Sequence, residues 1–163
     1  MTQLLIVYHS LTGGTAQMVQ AAATGVRSEA TVGLRVLRAA EATVEDVLAA
    51  EGYIFATPEN LAGMSGQLKD FFDRTYYAAL DRVAGRPYAL LVCAGSDGTN
   101  AVRQIERILT GWRLRAISDA LIVCTHAQTP ESILQAKTIP ADSLERCREL
   151  GATLAAGLAL GIY

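Results

Sequence analysis

Residues 9–15, His-Ser-Leu-Thr-Gly-Gly-Thr, place three hydroxyls and two glycines between an apolar run (LLIVY, 4–8) and a helical pattern (TAQMVQAAATGVRSE, 15–29). Where a strand turns into a helix, the helix start presents unpaired N–H groups and the positive end of its macrodipole. Glycines let backbone approach an anion closely, and hydroxyls donate without adding charge, so the loop reads as a phosphate cup. It is not the loop of nucleotide hydrolases, because GxxxxGK followed by Ser or Thr is absent, and no magnesium-holding partner accompanies it. GxGxxG is absent too, and His-Ser stands where a receiver domain would carry acidic residues. A cup without lysine suits a terminal phosphate monoester. The same residues also suit a plain helix cap at a corner.

Two other loops share this character. TPENLAGMSGQLK (57–69) leaves an apolar run through Pro58 and carries Gly63 and Gly66, so main-chain groups can meet a flat polar heterocycle. Met64 before Ser65 reads as a packing residue entering an N-capped helix. CAGSDGTN (93–100) places Ser96 and Asp97 between Gly95 and Gly98, a turn with free N–H groups or simply a tight turn capped by Asp97 or Thr99.

The elements that position these loops are legible as alternating patterns. Apolar runs of strand length lie at 4–8, 32–39, 52–57, 88–94 and 120–125, several apolar at nearly every position, as in strands covered on both faces. Helical patterns lie at 15–29, 44–50, 65–80, 99–112 and 143–160. The alternation predicts α/β with a parallel sheet and helices on both faces, in one domain over 1–163. Residues 126–142, with two prolines, break the pattern as an excursion. In such a sheet ligands bind beyond the carboxyl ends of the strands. That rule selects the same three loops.

Composition narrows the function classes. With 51% hydrophobic and 18% charged residues, the chain is a folded protein rather than a disordered one. A net charge of −2 gives no reason to expect nucleic acid or an anionic membrane as partner. Cys93, Cys124 and Cys147 lack CxxC spacing and read as reduced thiols of a cytoplasmic protein, and no metal-ligand cluster is present. The N-terminus reads as a strand rather than a signal peptide, and the apolar tail ATLAAGLALGIY falls short of the roughly 20 residues a membrane helix needs.

IVYHSLTGGT (6–15) resembles the phosphate loop of flavodoxins. ATPENLAGMSGQLKDFFDRT (56–75) resembles the second flavin loop of flavodoxin-like NAD(P)H-dependent reductases, and is most similar to the NAD(P)H:quinone oxidoreductases once called Trp-repressor-binding proteins. The resemblance implies a flavodoxin-like three-layer sandwich, with five parallel strands in the order 2-1-3-4-5. It implies FMN, whose phosphate Ser10, Leu11, Thr12, Gly13, Gly14 and Thr15 would hold. Pro58, Glu59, Asn60, Leu61 and Gly63 would run along the isoalloxazine ring. Ala94, Gly95, Ser96, Asp97 and Gly98 would flank its pyrimidine side. The chain departs from the pattern in lacking a Trp or Tyr in either ring loop.

The implied activity is hydride transfer from NAD(P)H through FMN to a quinone or similar acceptor, with no catalytic side chain. A one-electron flavodoxin is the alternative, disfavoured by a charge of only −2, and a non-catalytic interaction protein of the same fold is another. His9 adjoins the cup and reads as a solvated neighbour. Trp112 reads as helix-end packing, or as lying near a flavin. Arg113 and Arg115 could meet a nucleotide phosphate. The small residues of 151–162 cover the sheet and could also admit a second subunit, so a homodimer or homotetramer is expected.

Overall fold

The apolar runs become strands of one sheet because each offers apolar side chains to both faces. The computed structural model describes all residues, 1–163. Its strands are β1 (Thr2–Tyr8), β2 (Val32–Arg38), β3 (Gly52–Asn60), β4 (Gly63–Met64), β5 (Pro87–Ala94), β6 (Arg115–Ala116) and β7 (Leu121–Cys124). Its helices are α1 (Gly14–Arg27), α2 (Val44–Ala49), α3 (Gly66–Ala79), α4 (Thr99–Gly111), α5 (Pro130–Leu134) and α6 (Ala141–Ala159).

The sheet runs β2-β1-β3-β5-β6, with β4 antiparallel on β3 and β7 parallel on β5. The expected five strands in the order 2-1-3-4-5 are thereby corrected to seven strands. One addition is β4, which folds back on β3 as a hairpin. The other arises because the last edge is broken. Tyr88 faces Ala116 and Leu91 faces Leu121, so residues 117–120 bulge from a span that β5 crosses with Ala89 and Leu90 alone.

Alternation along β1 sends Leu5 and Val7 to one face and Leu4 and Ile6 to the other. On the first face Tyr53 and Phe55 meet Leu68, Phe71 and Phe72 of α3 and Ile105 and Leu109 of α4. On the second, Ile54, Ala56 and Leu91 meet Met18, Val19 and Ala22 of α1 and Cys147 and Leu154 of α6. Each such large side chain contributes about 1.5–3 kcal/mol by leaving water. Every residue of β5, which lies between the central β3 and the broken edge of β6 and β7, is buried.

Helices α1 and α6 pack backbone to backbone. A Cβ on Gly25 would lie 1.9 Å from the Arg148 carbonyl oxygen, and one on Gly151 would lie 2.1 Å from that of Ala22. The small residues at this contact therefore serve α6 against its own α1. Trp112 is fully buried, donates Nε1–H to the Tyr76 carbonyl at 2.9 Å and stacks on the Tyr76 ring. It is packing. Arg113 pairs with Asp81 at 2.9 Å, and Arg115 faces Pro87 at the start of β5, the end of the sheet opposite the three loops. No helix is long and apolar enough to cross a membrane.

Candidate flavin site

Beyond the carboxyl ends of β1, β3, β5 and β7 lies a cleft of about 500 Å³. Ser10, Leu11, Thr12, Gly14, Thr15, Pro58, Glu59, Asn60, Leu61, Ala94, Gly95 and Ser96 line it, so all three expected loops converge. A larger hollow of about 740 Å³ lies between α3 and α4 and shares Asn60 and Leu61 with the cleft. It stands beside the sheet rather than at its carboxyl edge, and the unpaired main-chain donors described next belong to the first cleft.

The cup is built by the end of β1 and the start of α1. None of the backbone N–H groups of Leu11, Thr12, Gly13, Gly14 and Thr15 donates to a protein acceptor, while that of Ala16 is taken by Ser10 Oγ at 3.2 Å. Gly13 turns the corner at φ 92°, a conformation that costs a side-chain-bearing residue about 1–2 kcal/mol. Gly14 sits so close to the floor that a Cβ there would lie 2.6 Å from Cys93 Sγ. The Thr15 hydroxyl is buried without any partner. A buried orphan hydroxyl beside a run of free N–H groups has the donor chemistry that suits an anion, and an FMN phosphate fits that donor set.

The second wall is the β3–β4 hairpin. Glu59 pairs with Met64 and Asn60 with Gly63, leaving Leu61 and Ala62 as a two-residue turn with φ 50° and 63°. Both residues carry a Cβ in a region that favours glycine or asparagine. The turn is held from α4: Asn100 Nδ2 donates to the Ala62 carbonyl at 2.5 Å, and the Met64 N–H donates to Gln104 Oε1 at 2.9 Å. Thr57 Oγ1, buried, donates to the Pro58 carbonyl and accepts from the Ser65 N–H, while Ser65 caps α3 through the Leu68 N–H. Met64 is buried in the core, as its packing role predicts.

The floor is the end of β5 and the turn after it. The N–H groups of Gly95, Ser96 and Asp97 have no protein acceptor. Four expected contact residues stand behind the walls instead of lining them. Gly13 turns the chain, and Gly63 packs against Gln104. Asp97 Oδ1 accepts from Thr99 Oγ1 at 2.8 Å, and Gly98 opens α4 at φ 88°.

Ala62 and Cys93, neighbours of expected residues, also line the cleft, as do Thr125, Ala127, Gln128, Ile133, Leu134 and Lys137. The last six come from the excursion after β7, which folds as α5 behind a Thr129 cap with Pro130 at its first turn. Thr129-Pro130-Glu131 is a legible helix start, and was the one signal in the sequence for this wall.

Two ionisable groups near the cleft are shifted. Burial, with the Arg38 charge adding to it, pushes the His9 imidazole below its usual 6.5, and His9 Nδ1 is buried without a partner. His9 does not line the cleft. Burial raises the Cys93 thiol above its usual 9.0, against the opposing pull of Lys137, so it is a protonated wall and not a nucleophile.

The chain is similar to known proteins both in sequence and in fold. Residues 9–128 match the family model of NADPH-dependent FMN reductases. A NAD(P)H dehydrogenase (quinone) of Acidithiobacillus ferrooxidans is 34% identical, over 46% of this chain and 48% of the relative. A flavodoxin of Aquifex aeolicus is 38% identical, over 45% of this chain and 40% of the relative. The match thus spans about half of each curated relative or less. In fold, an archaeal flavodoxin superposes with a TM-score of 0.80 at 19% identity, covering 97% of this chain and 99% of its own. A WrbA-like flavodoxin from Agrobacterium tumefaciens gives 0.72 at 19% identity, covering 98% and 99%. The chain folds as a flavodoxin-like α/β sandwich and belongs to the NADPH-dependent FMN reductase family.

Proposed function

We propose that the protein is an FMN-dependent oxidoreductase that takes hydride from NAD(P)H and delivers electrons to a quinone or similar small acceptor. One observation carries the reading: the free N–H groups of Leu11–Thr15, with the orphan Thr15 hydroxyl, at the mouth of an open cleft. When bound, FMN would supply the two-electron chemistry. The residues of the cup, Ser10 to Thr15, would hold its phosphate by hydrogen bonds strengthened by the anion's charge. Pro58, Glu59, Asn60, Leu61 and Gly63, and the 94–98 turn of Ala94, Gly95, Ser96, Asp97 and Gly98, form or brace the ring side. The N–H donors of Gly95 and Ser96 would stabilise negative charge developing at a polar ring edge.

Residues 1–163 act, in this reading, as one domain, and the unpaired Cys93, Cys124 and Cys147 suit the reducing cytoplasm. Assembly into a homodimer or homotetramer is part of the proposal and is checked by sedimentation. A one-electron flavodoxin is the second reading, favoured by the 38% identity to a curated flavodoxin. Stoichiometric reduction of the flavin by NADPH or NADH in a stopped-flow trace supports the reductase. Reduction by dithionite alone supports the carrier.

The cup itself is tested by titrating the protein with FMN and with riboflavin, which lacks the phosphate. Thr12→Val with Thr15→Val removes two donors to a charged group, each worth about 1.5–3 kcal/mol. FMN affinity is expected to fall a hundredfold or more while riboflavin affinity stays unchanged. Equal losses for both ligands would remove the phosphate from the cup.

A further inference from the structure

Eight large hydrophobic side chains are exposed on this protein, and four of them, Leu11, Leu61, Ile133 and Leu134, line the one cleft. Their exposures run from 47% for Ile133 to 104% for Leu61. The cleft contains no aromatic residue at all. Apolar side chains gathered in a concave polar-rimmed site mark a surface that is covered in use.

The chain that brings Ile133 and Leu134 there is tied down at both ends. It leaves β7 with the Thr125 and His126 N–H groups donating to the Ala94 and Gly95 carbonyls, both at 2.8 Å. It returns to the cup, where the Lys137 N–H donates to the Thr12 carbonyl at 2.9 Å. Gln17 of α1 then clips it twice, giving Nε2–H to the Lys137 carbonyl at 2.7 Å and accepting the Ile139 N–H at 3.0 Å. Between the ties, Lys137 Nζ donates to the carbonyls of Ser132, Ile133 and Gln135, closing the end of α5. Residues 126–139 are thus a strap from the floor of the cleft to its cup. Helix α5 buries none of its own residues. Neither Ile133 nor Leu134 joins a hydrophobic core cluster of the fold.

We propose that the strap is the missing wall of the ring site: Ile133 and Leu134 cover the isoalloxazine ring opposite Leu61, an aliphatic grip in place of aromatic stacking, with Gln17 holding the strap in position. Sheet order supports the opposition. β5 lies between β3 and β7, so the hairpin carrying Leu61 and the strap rise on either side of the 93–96 floor. The inference rests on the FMN reading and adds the residues that determine ring affinity.

Riboflavin and FMN titrations of wild type, of Ile133→Ser with Leu134→Ser, and of Gln17→Ala form the test. Both strap residues are partly solvent-exposed, so the double variant is expected to fold, with an unchanged circular dichroism spectrum. It should lose about tenfold in affinity for riboflavin and for FMN alike, since apolar contact with the ring is common to both. Gln17→Ala, which also removes the Nε2–H donated to the Gly13 carbonyl at 3.0 Å, should lose affinity for both ligands to a smaller degree, with faster amide exchange in 126–139. Wild type should bind FMN with most of its green fluorescence retained, because no Tyr or Trp lies within the cleft to quench it. Unchanged riboflavin affinity in the double variant overturns the strap while leaving the FMN reading intact. A wild type that binds neither ligand overturns both.

Discussion

The two ends of the cleft are built on different principles. The cup is local: six consecutive residues spanning the loop after β1 and the start of α1, one glycine with positive φ, and donors left free by the geometry of a helix start. The ring side is assembled from afar, by a hairpin held from α4 and a strap held from α1. The cup spends its glycine where a turn needs one, whereas the hairpin places Leu61 and Ala62 in the same left-handed region without that relief. Residues kept in such conformations cost of order 1–3 kcal/mol each and persist where the surroundings hold them. Anchoring and ring recognition are thus separable here, and the strain sits on the ring side.

Gly14→Ala is the severest way to break the cup. The new Cβ would meet Cys93 Sγ, which is fixed on the fully buried β5. Overpacking of this kind costs about 1–3 kcal/mol of stability and should displace the Gly14 N–H from the anion. Chemical denaturation and FMN titration are expected to show both losses. Cys93→Ala in the same chain should restore most of each, a coupling that a double-mutant cycle measures directly. Additive effects would mean that the cup does not rest on the floor.

Replacing Leu61-Ala62 with Asn-Gly supplies the residues that a turn with two positive φ values favours. Stability should rise by about 1–2 kcal/mol, read as a higher denaturant midpoint at an unchanged slope. Riboflavin affinity should fall several-fold with the loss of the Leu61 side chain, and the FMN-to-riboflavin affinity ratio should stay the same. A fall in that ratio would tie the hairpin to the phosphate and erase the distinction between the two ends.

Local parts were legible in the sequence and distant parts were not. The cup could be read from HSLTGGT because strand end, glycine corner and helix start are contiguous. The hairpin escaped because Leu-Ala carries no turn signature: its conformation is enforced by Asn100 and Gln104, some forty residues downstream. The 4–8, 52–57 and 88–94 runs announced strands because burial on both faces demands apolar residues everywhere. The edge at 120–125 looked equally continuous, yet the chain reaches it only after the 117–120 bulge and β6. Residues 126–142 read as a bare excursion, although Thr129-Pro130-Glu131 signalled a helix. Nothing local could reveal that Gln17 would clip that excursion to the cup.

The smallest effect concerns protons, and it too divides the two ends. His9, below the cup, has a folded pKa under its ordinary 6.5 because burial, and then Arg38, disfavour the imidazolium. Below that value the unfolded chain takes up a proton that the native one resists, so this stability is present above pH 6.5 and lost as pH falls through the folded value. Cys93, in the floor of the cleft, has its thiol raised above 9.0 by burial. Its contribution is present below pH 9.0 and lost as pH rises, because the unfolded thiol ionises first. Cys147 on α6, pushed up to about 11, carries the larger share of that alkaline limb. Urea midpoints measured from pH 5 to 10 should therefore fall at both extremes. His9→Gln should flatten the acid limb alone, and Cys93→Ala should make the alkaline limb shallower without abolishing it. A Gln variant that keeps the full acid limb would place the acid sensitivity in groups other than His9, and the burial of that imidazole would then carry none of it.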